Sequence, residues 1–330
     1  MKFSLRFNND HPVADYVRWA QLAESYGLDQ FWVSNDLFLR SAPVILTAVA
    51  LATKRIQIGS CILNPYSINP AEIAMIAATI DEIAPGRFNL GLASGAADFL
   101  GWIGIPQEKP RTALVESATV IKKLLSGVHA KIHGEFLRWS PEAYLRFNVP
   151  HHIPIYIGAM SPKMLEEIGR IADGGLPLLF PPEHYRTVAP IIQSAALAAN
   201  RDPASIDIAA CIWCSLSENQ VLAEDALKEK VAYYGHALSD TILELLGVER
   251  SAFKVIENAI MKERDVAKAK ALITPPMLHI GIAGTSQQLN KRLENLVAAG
   301  VRHISFGPPL GPDIDEAIKM IGNQVIPHFR

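Results

Sequence analysis

Apolar positions along this chain recur in two periods that take turns. Lys2 to Phe7 alternates polar and apolar residues as a short strand does. Val13 to Tyr26 follows with the spacing of an amphipathic helix, and Gly27 suits its left-handed cap. The same pair recurs as Gln30–Ser34 with Pro43–Ala52, Ile56–Ser60 with Pro70–Ile83, and Arg87–Ala93 with Arg111–Leu125. Strand starts lie roughly 30 residues apart, the size of a strand–helix repeat. Asn69-Pro70-Ala71-Glu72 predicts a helix start, with Asn as cap, Pro at the first helical position and an acidic residue in the first turn.

The period breaks over 127–153, a stretch of Gly, Pro and aromatic residues that predicts an inserted loop or hairpin. It resumes with Ile155–Gly158, a helix over Pro162–Ala172, Gly175–Leu179, a helix ending at Asn200, and Ile206–Cys214. A largely helical stretch, Glu218–Leu272, precedes a capped helix Ser286–Ala299, an eighth strand Val301–Phe306 and a closing helix. Eight strands alternating with helices favour an α/β fold of the (β/α)8 TIM-barrel type, although a doubly wound open sheet shares the alternation. No Pro/Ser-rich linker or charge block divides the chain. The expectation is one barrel domain over 1–330, with insertions near 127–153 and 218–275.

Composition narrows the partners. With 49% hydrophobic and 19% charged residues the chain can bury a large core. Its 31 Lys+Arg against 33 Asp+Glu point to neither nucleic acid nor an anionic membrane, so a small molecule is the expected partner. Three cysteines make no disulfide framework, no secretory hydrophobic region precedes the first strand, and no apolar run reaches the roughly 18 residues of a membrane span. Cytoplasmic residence is the expectation.

Barrels of this type place their chemistry just past the strand ends. There the sequence offers Arg6 and Asn8-Asn9-Asp10, Asn35-Asp36, Cys61 to Pro65, Ser94 to Asp98, Gly158 to Ser161, Pro177 to Pro182, Cys214-Ser215 and Gly307 to Leu310. No lysine is present for a Schiff base, and His and carboxylates do not converge as metal ligands would. Gly, Ala and Ser remain, residues that let backbone N–H groups approach a bound cofactor. Gly158-Ala159-Met160-Ser161-Pro162 joins a strand to a helix with Ser as cap and Pro at the first position; such an end holds phosphate, or is an ordinary capped turn. Cys211-Ile212-Trp213-Cys214 looks like a redox pair, but residues three apart on a strand face opposite ways. His151-His152 reads as part of a solvated loop.

These loops resemble those of the bacterial-luciferase-like superfamily, and within it the branch of coenzyme F420-dependent methylene-tetrahydromethanopterin reductases. The marks are Phe31 to Ser34; Gly59 to Tyr66 with Asn69-Pro70-Ala71; Asp81-Glu82 with Gly86-Arg87-Phe88; and Pro154 to Ala159 with Pro162 to Leu165. Ile171 to Gly174, Ala283-Gly284-Thr285, Ala299-Gly300-Val301 and Phe306 to Asp313 complete the series. The resemblance implies a (β/α)8 barrel that transfers hydride between F420 and a small organic substrate, with methylene-tetrahydromethanopterin as the named candidate. It also implies a homodimer. Carried over by motif, Cys61-Ile62 forms a cis-peptide wedge behind the deazaflavin ring. Asn35, Asp36, Asn64, Ala93, Ser94, Gly95, Ala96 and Ala97 line the ring, and Gly158, Ala159 and Met160 hold the phosphate. Asp36 and Arg6 are the catalytic candidates. Asn35-Asp36 stands where the family commonly has Asp-His, and Arg6 where the reductases have a glutamate. The substrate therefore stays open. So do an FMN-dependent monooxygenase and a flavin-binding barrel without catalysis.

Overall fold

In the computed structural model, which describes residues 1–330, the strands are Lys2–Phe7 (β1), Gln30–Val33 (β2), Gln57–Ser60 (β3), Phe88–Leu92 (β4), Ile132–His133 (β5), Arg138–Trp139 (β6), Ile155–Ala159 (β7), Gly174–Pro177 (β8), Asp207–Leu216 (β9), Ile282–Gly284 (β10) and His303–Leu310 (β11). The helices that position the site are Val13–Ser25 (α1), Ala42–Ala52 (α2), Pro70–Ile83 (α3), Ala97–Trp102 (α4), Pro110–Leu125 (α5) and Pro162–Ile171 (α6). Hydrogen-bonded neighbours run β9, β11, β1, β2, β3, β4, β7, β8, and β8 pairs again with β9, so eight strands close on themselves; β10 joins β9 in addition. Helices alternate with these strands. The fold is a (β/α)8 barrel, as the alternation predicts.

Local chemistry explains the elements. All residues of β2 and β4 are buried, the pattern of parallel strands covered on both faces. Asn69 caps α3 by accepting the Ala71 N–H at 2.9 Å, and the helix runs over the predicted residues. Gly27 takes a positive φ of 73° after α1. Arg87, one of the family marks, is structural: its guanidinium donates to the carbonyls of Ala50, Thr53 and Ile56 at 3.0–3.1 Å and ties the end of α2 to the start of β4.

By its internal contacts the chain divides into two compact units. One comprises Ser4–Pro177 and Val188–Ala209 and contains every candidate site residue. The other comprises Met1–Phe3, Leu178–Thr187 and Ala210–Arg330. Its long helical stretch is stabilised by an apolar cluster built around Phe180, Trp213, Leu227, Val231, Leu243 and Phe253.

Four readings are refined. The segment over 127–153 holds the two-residue antiparallel pair β5–β6. The loop after β4 contains the short helix α4, which no cap or long apolar period announced. Strand β11 spans His303–Leu310 and so continues through Gly307-Pro308-Pro309-Leu310, beyond the expected end at Phe306. Ile282–Gly284 forms a strand that three residues were too few to reveal. Cys211 and Cys214 both lie buried on β9 without a disulfide, and burial pushes the Cys214 thiol up.

Candidate functional site

The strand period places Gln30 and Trp32 of β2 on the same face, and Arg6, Trp32, Gly59 and Asn89 stand at one register across four neighbouring strands. The Trp32 indole occupies the space that a side chain at residue 59 would need: a Cβ on Gly59 would lie 2.3 Å from its Cζ3. Around it runs a polar network. Trp32 Nε1 donates to Gln30 Oε1 at 3.0 Å, Gln30 Nε2 to Gln57 Oε1 at 2.9 Å and to the Tyr156 hydroxyl at 3.3 Å, and that hydroxyl to Asp207 Oδ2 at 2.8 Å. Burial, and then the Asp207 carboxylate beside it, raise the Tyr156 hydroxyl well above the usual phenol range, so it stays a donor.

The predicted cofactor segments lie at the C-terminal ends of these strands. The Cys61–Ile62 peptide is cis, as the resemblance implies. Cys61 N–H donates to the Val33 carbonyl at 2.8 Å, Leu63 N–H to Gly91 at 2.9 Å, and Ala93 N–H to Leu63 at 3.2 Å, which stitches the turn after β3 between β2 and β4. Ile62 and Ala93 meet a third segment here. A Cβ on Gly158 would lie 3.0 Å from Ile62 Cγ2 and 3.3 Å from Ala93 Cβ, so three loops predicted separately converge on one small-residue face. Asn64 packs beside Gly95, whose φ of 77° suits glycine, and its Oδ1 accepts the Tyr66 and Ser67 N–H groups at 3.1 and 2.9 Å. Ala96, Ala97 and Met160 are exposed at the rim, while Ser94, Cys61 and Ile62 are half-buried and Ala159 is buried.

After β7, Ser161 stands at the cap position of α6 with extended backbone, but its hydroxyl makes no capping bond, contrary to expectation. The residue is exposed and its carbonyl alone engages the helix, accepting from Met164 and Leu165. The first-turn N–H groups therefore have no side-chain acceptor, which suits an anion at this helix end.

The loop after β2 is held by a residue to which the sequence assigned no role. Asn9, fully buried, donates through Nδ2 to the carbonyls of Asp36 and Arg40 at 3.0 and 2.6 Å and accepts the Asp36 N–H at 3.2 Å. The Asp36 carboxylate accepts from Ser34 Oγ at 3.4 Å. Asn35 turns to the helix, its Oδ1 accepting the Ala42 N–H at 2.9 Å at the start of α2. Gln107 is a second unassigned residue: Nε2 donates to the Ser94 and Gly95 carbonyls at 2.8 and 2.9 Å and sets the loop after β4. Neither residue belongs to a motif. Arg6 lies one strand from Asp36, with Nε and Nη2 buried and without acceptors.

The family model described as luciferase-like monooxygenase matches residues 2–303. The chain belongs to this luciferase-like family. It is 32% identical to the 5,10-methylenetetrahydromethanopterin reductase of Methanolobus tindarius over 99% of this chain and 100% of that relative. It is 31% identical to the enzyme of the same name from Archaeoglobus fulgidus over the full length of both. The solved coenzyme F420-dependent tetrahydromethanopterin reductase from Methanopyrus kandleri superposes with a TM-score of 0.94 at 29% identity, over 100% of this chain and 99% of that one.

Proposed function

We propose that this protein is a coenzyme F420-dependent oxidoreductase that transfers hydride between the deazaflavin and a small organic substrate, with methylene-tetrahydromethanopterin as the candidate. The convergence of Ile62, Ala93 and Gly158 carries the reading. A face on which Ile62 packs against the small residues Ala93 and Gly158, flanked by a helix start free of side-chain caps, fits a flat ring with a phosphate tail. When bound, the cofactor supplies or accepts the hydride. Cys61 and Ile62 would back the ring, with Asn64 and Ala93 to Ala97 along its edge and Asn35 and Asp36 on the β2 side. Gly158, Ala159 and Met160 would hold the phosphate through backbone groups and the α6 dipole. Asp36 would hold or move the proton that accompanies hydride transfer, within a loop that Asn9 keeps in place.

The relatives named as F420-dependent or methylenetetrahydromethanopterin reductases support this choice over FMN. Anaerobic mixing with reduced F420 and methylene-tetrahydromethanopterin should yield oxidised F420 at a rate that falls at least tenfold in Asp36→Asn. Oxygen-dependent consumption of reduced FMN, with no F420 turnover, would assign the monooxygenase activity instead. Full cofactor binding without either turnover would assign the non-catalytic barrel.

A homodimer and cytoplasmic residence belong to the same proposal. Exposed Val44 and Leu51, one heptad apart on α2, and Met75 on the adjoining α3 support pairing of copies. Light scattering at micromolar concentration measures it. Three cysteines outside any disulfide suit a reducing compartment, and no helix is long and apolar enough to cross a membrane.

A further inference from the structure

Strand β1 sorts its side chains by the period of two. Phe7 stacks on Trp19 of α1, with ring centroids 5.1 Å apart, and Phe3 and Leu5 are fully buried on the same helix-facing side. Arg6 therefore points the other way, to the inside of the strand ring, level with Trp32. Its Nε and Nη2 are buried from solvent and reach no acceptor. These two nitrogens bound one edge of the planar guanidinium, and their N–H bonds run parallel, the fork that receives both oxygens of a carboxylate. Arg6 as a whole is half-buried, and a guanidinium keeps its charge there, so an anion brought from outside would complete these two donors. Around it the polar groups of Gln30, Trp32 and Tyr156 are already engaged with one another.

We infer that Arg6 is the docking residue for a carboxylate on the substrate, so that the substrate class of this site is a small organic acid. The carboxylate seats side-on against Nε and Nη2 and fixes the acid at the strand ends, where Asp36 and the Ile62–Ala93–Gly158 face lie. The inference rests on the proposed oxidoreductase reading for the chemistry that follows docking, but not for the docking itself. A phosphoryl group offers the same paired oxygens, and the planar carboxylate is the better match to a planar fork.

Calorimetric titration tests this with benzoate, phenylphosphonate and neutral benzamide, on the F420-loaded protein and on the protein alone. Wild type should bind benzoate and not benzamide. Arg6→Met should weaken benzoate about 100-fold, the cost of truncating a buried charge pair, and Arg6→Lys about tenfold, since a point donor replaces a fork. F420 affinity, followed by its fluorescence, should stay within about twofold in Arg6→Met. The melting temperature of ligand-free Arg6→Met should equal or exceed that of wild type, because an apolar side chain replaces an unpaired charge. Equal benzoate binding by wild type and Arg6→Met, or binding by neither, overturns the inference. Tighter binding of phenylphosphonate than benzoate overturns the choice of carboxylate. A loss of F420 affinity in Arg6→Met gives the fork to the cofactor, and a clear fall in melting temperature gives it a structural partner; either outcome overturns docking. If wild type fails to bind F420 while benzoate still requires Arg6, the cofactor reading falls and the inference stands.

Discussion

Two buried polar groupings lie side by side on neighbouring strands and end differently. On β2, β3 and β7, the polar groups of Gln30, Trp32, Gln57 and Tyr156 satisfy one another and close on Asp207. On β1, the Arg6 fork has two buried donors and no acceptor. Both lie inside the strand ring, with Arg6 level with Trp32, so position alone does not separate them. Completion does. A closed network fixes the geometry of the ring, whereas an open edge marks the point where the protein expects a ligand.

Breaking the closed side should cost stability in graded steps. Trp32→Ala removes a fully buried indole and strands Gln30 Oε1; a loss of about 3–5 kcal/mol is expected from the large-to-small series for aromatic residues. Urea unfolding should show it as a large fall in the midpoint. Gly59→Ala acts on the same contact from the other side, forcing a Cβ to 2.3 Å from the indole and 2.9 Å from the Asn89 carbonyl. Overpacking of this kind costs about 1–3 kcal/mol, and a double mutant with Trp32→Phe should recover part of it. Tyr156→Phe deletes one link and leaves Asp207 Oδ2 short of a donor, a loss of about 1–2 kcal/mol in the same assay. The smallest effect is expected at the rim. Gln107→Ala frees the Ser94 and Gly95 carbonyls to solvent and should leave stability within about 1 kcal/mol, with a severalfold weakening of cofactor binding read by fluorescence.

The legible parts of the sequence were those whose signals are local. Asn69-Pro70 announces α3 because a cap and a preset φ act within one turn. The Gly158 turn was legible as a strand-to-helix junction that either holds phosphate or is an ordinary capped turn, and the Cys61-Ile62 wedge was legible only through the family resemblance. Asn9, named only as one of the strand-end residues, and Gln107 were given no role for the opposite reason. Their partners are main-chain carbonyls up to 31 and 13 residues away, and only the closed strand ring brings them within reach. The Arg6 edge was visible as a cation on a strand, but its missing acceptors are a property of the folded interior. Ser161 shows the converse: its residue type fits a cap, and its hydroxyl is not used as one.

Competitive titration of F420 and FMN against the purified protein tests the central claim most directly. F420 should bind at least tenfold more tightly than FMN, a difference of about 1.4 kcal/mol. Gly158→Val should weaken both, because a Cβ there would press on Ile62 at 3.0 Å and the valine methyl groups would intrude on the ring and phosphate face. Tight binding of FMN with none of F420, or binding of both undiminished in Gly158→Val, would contradict the account.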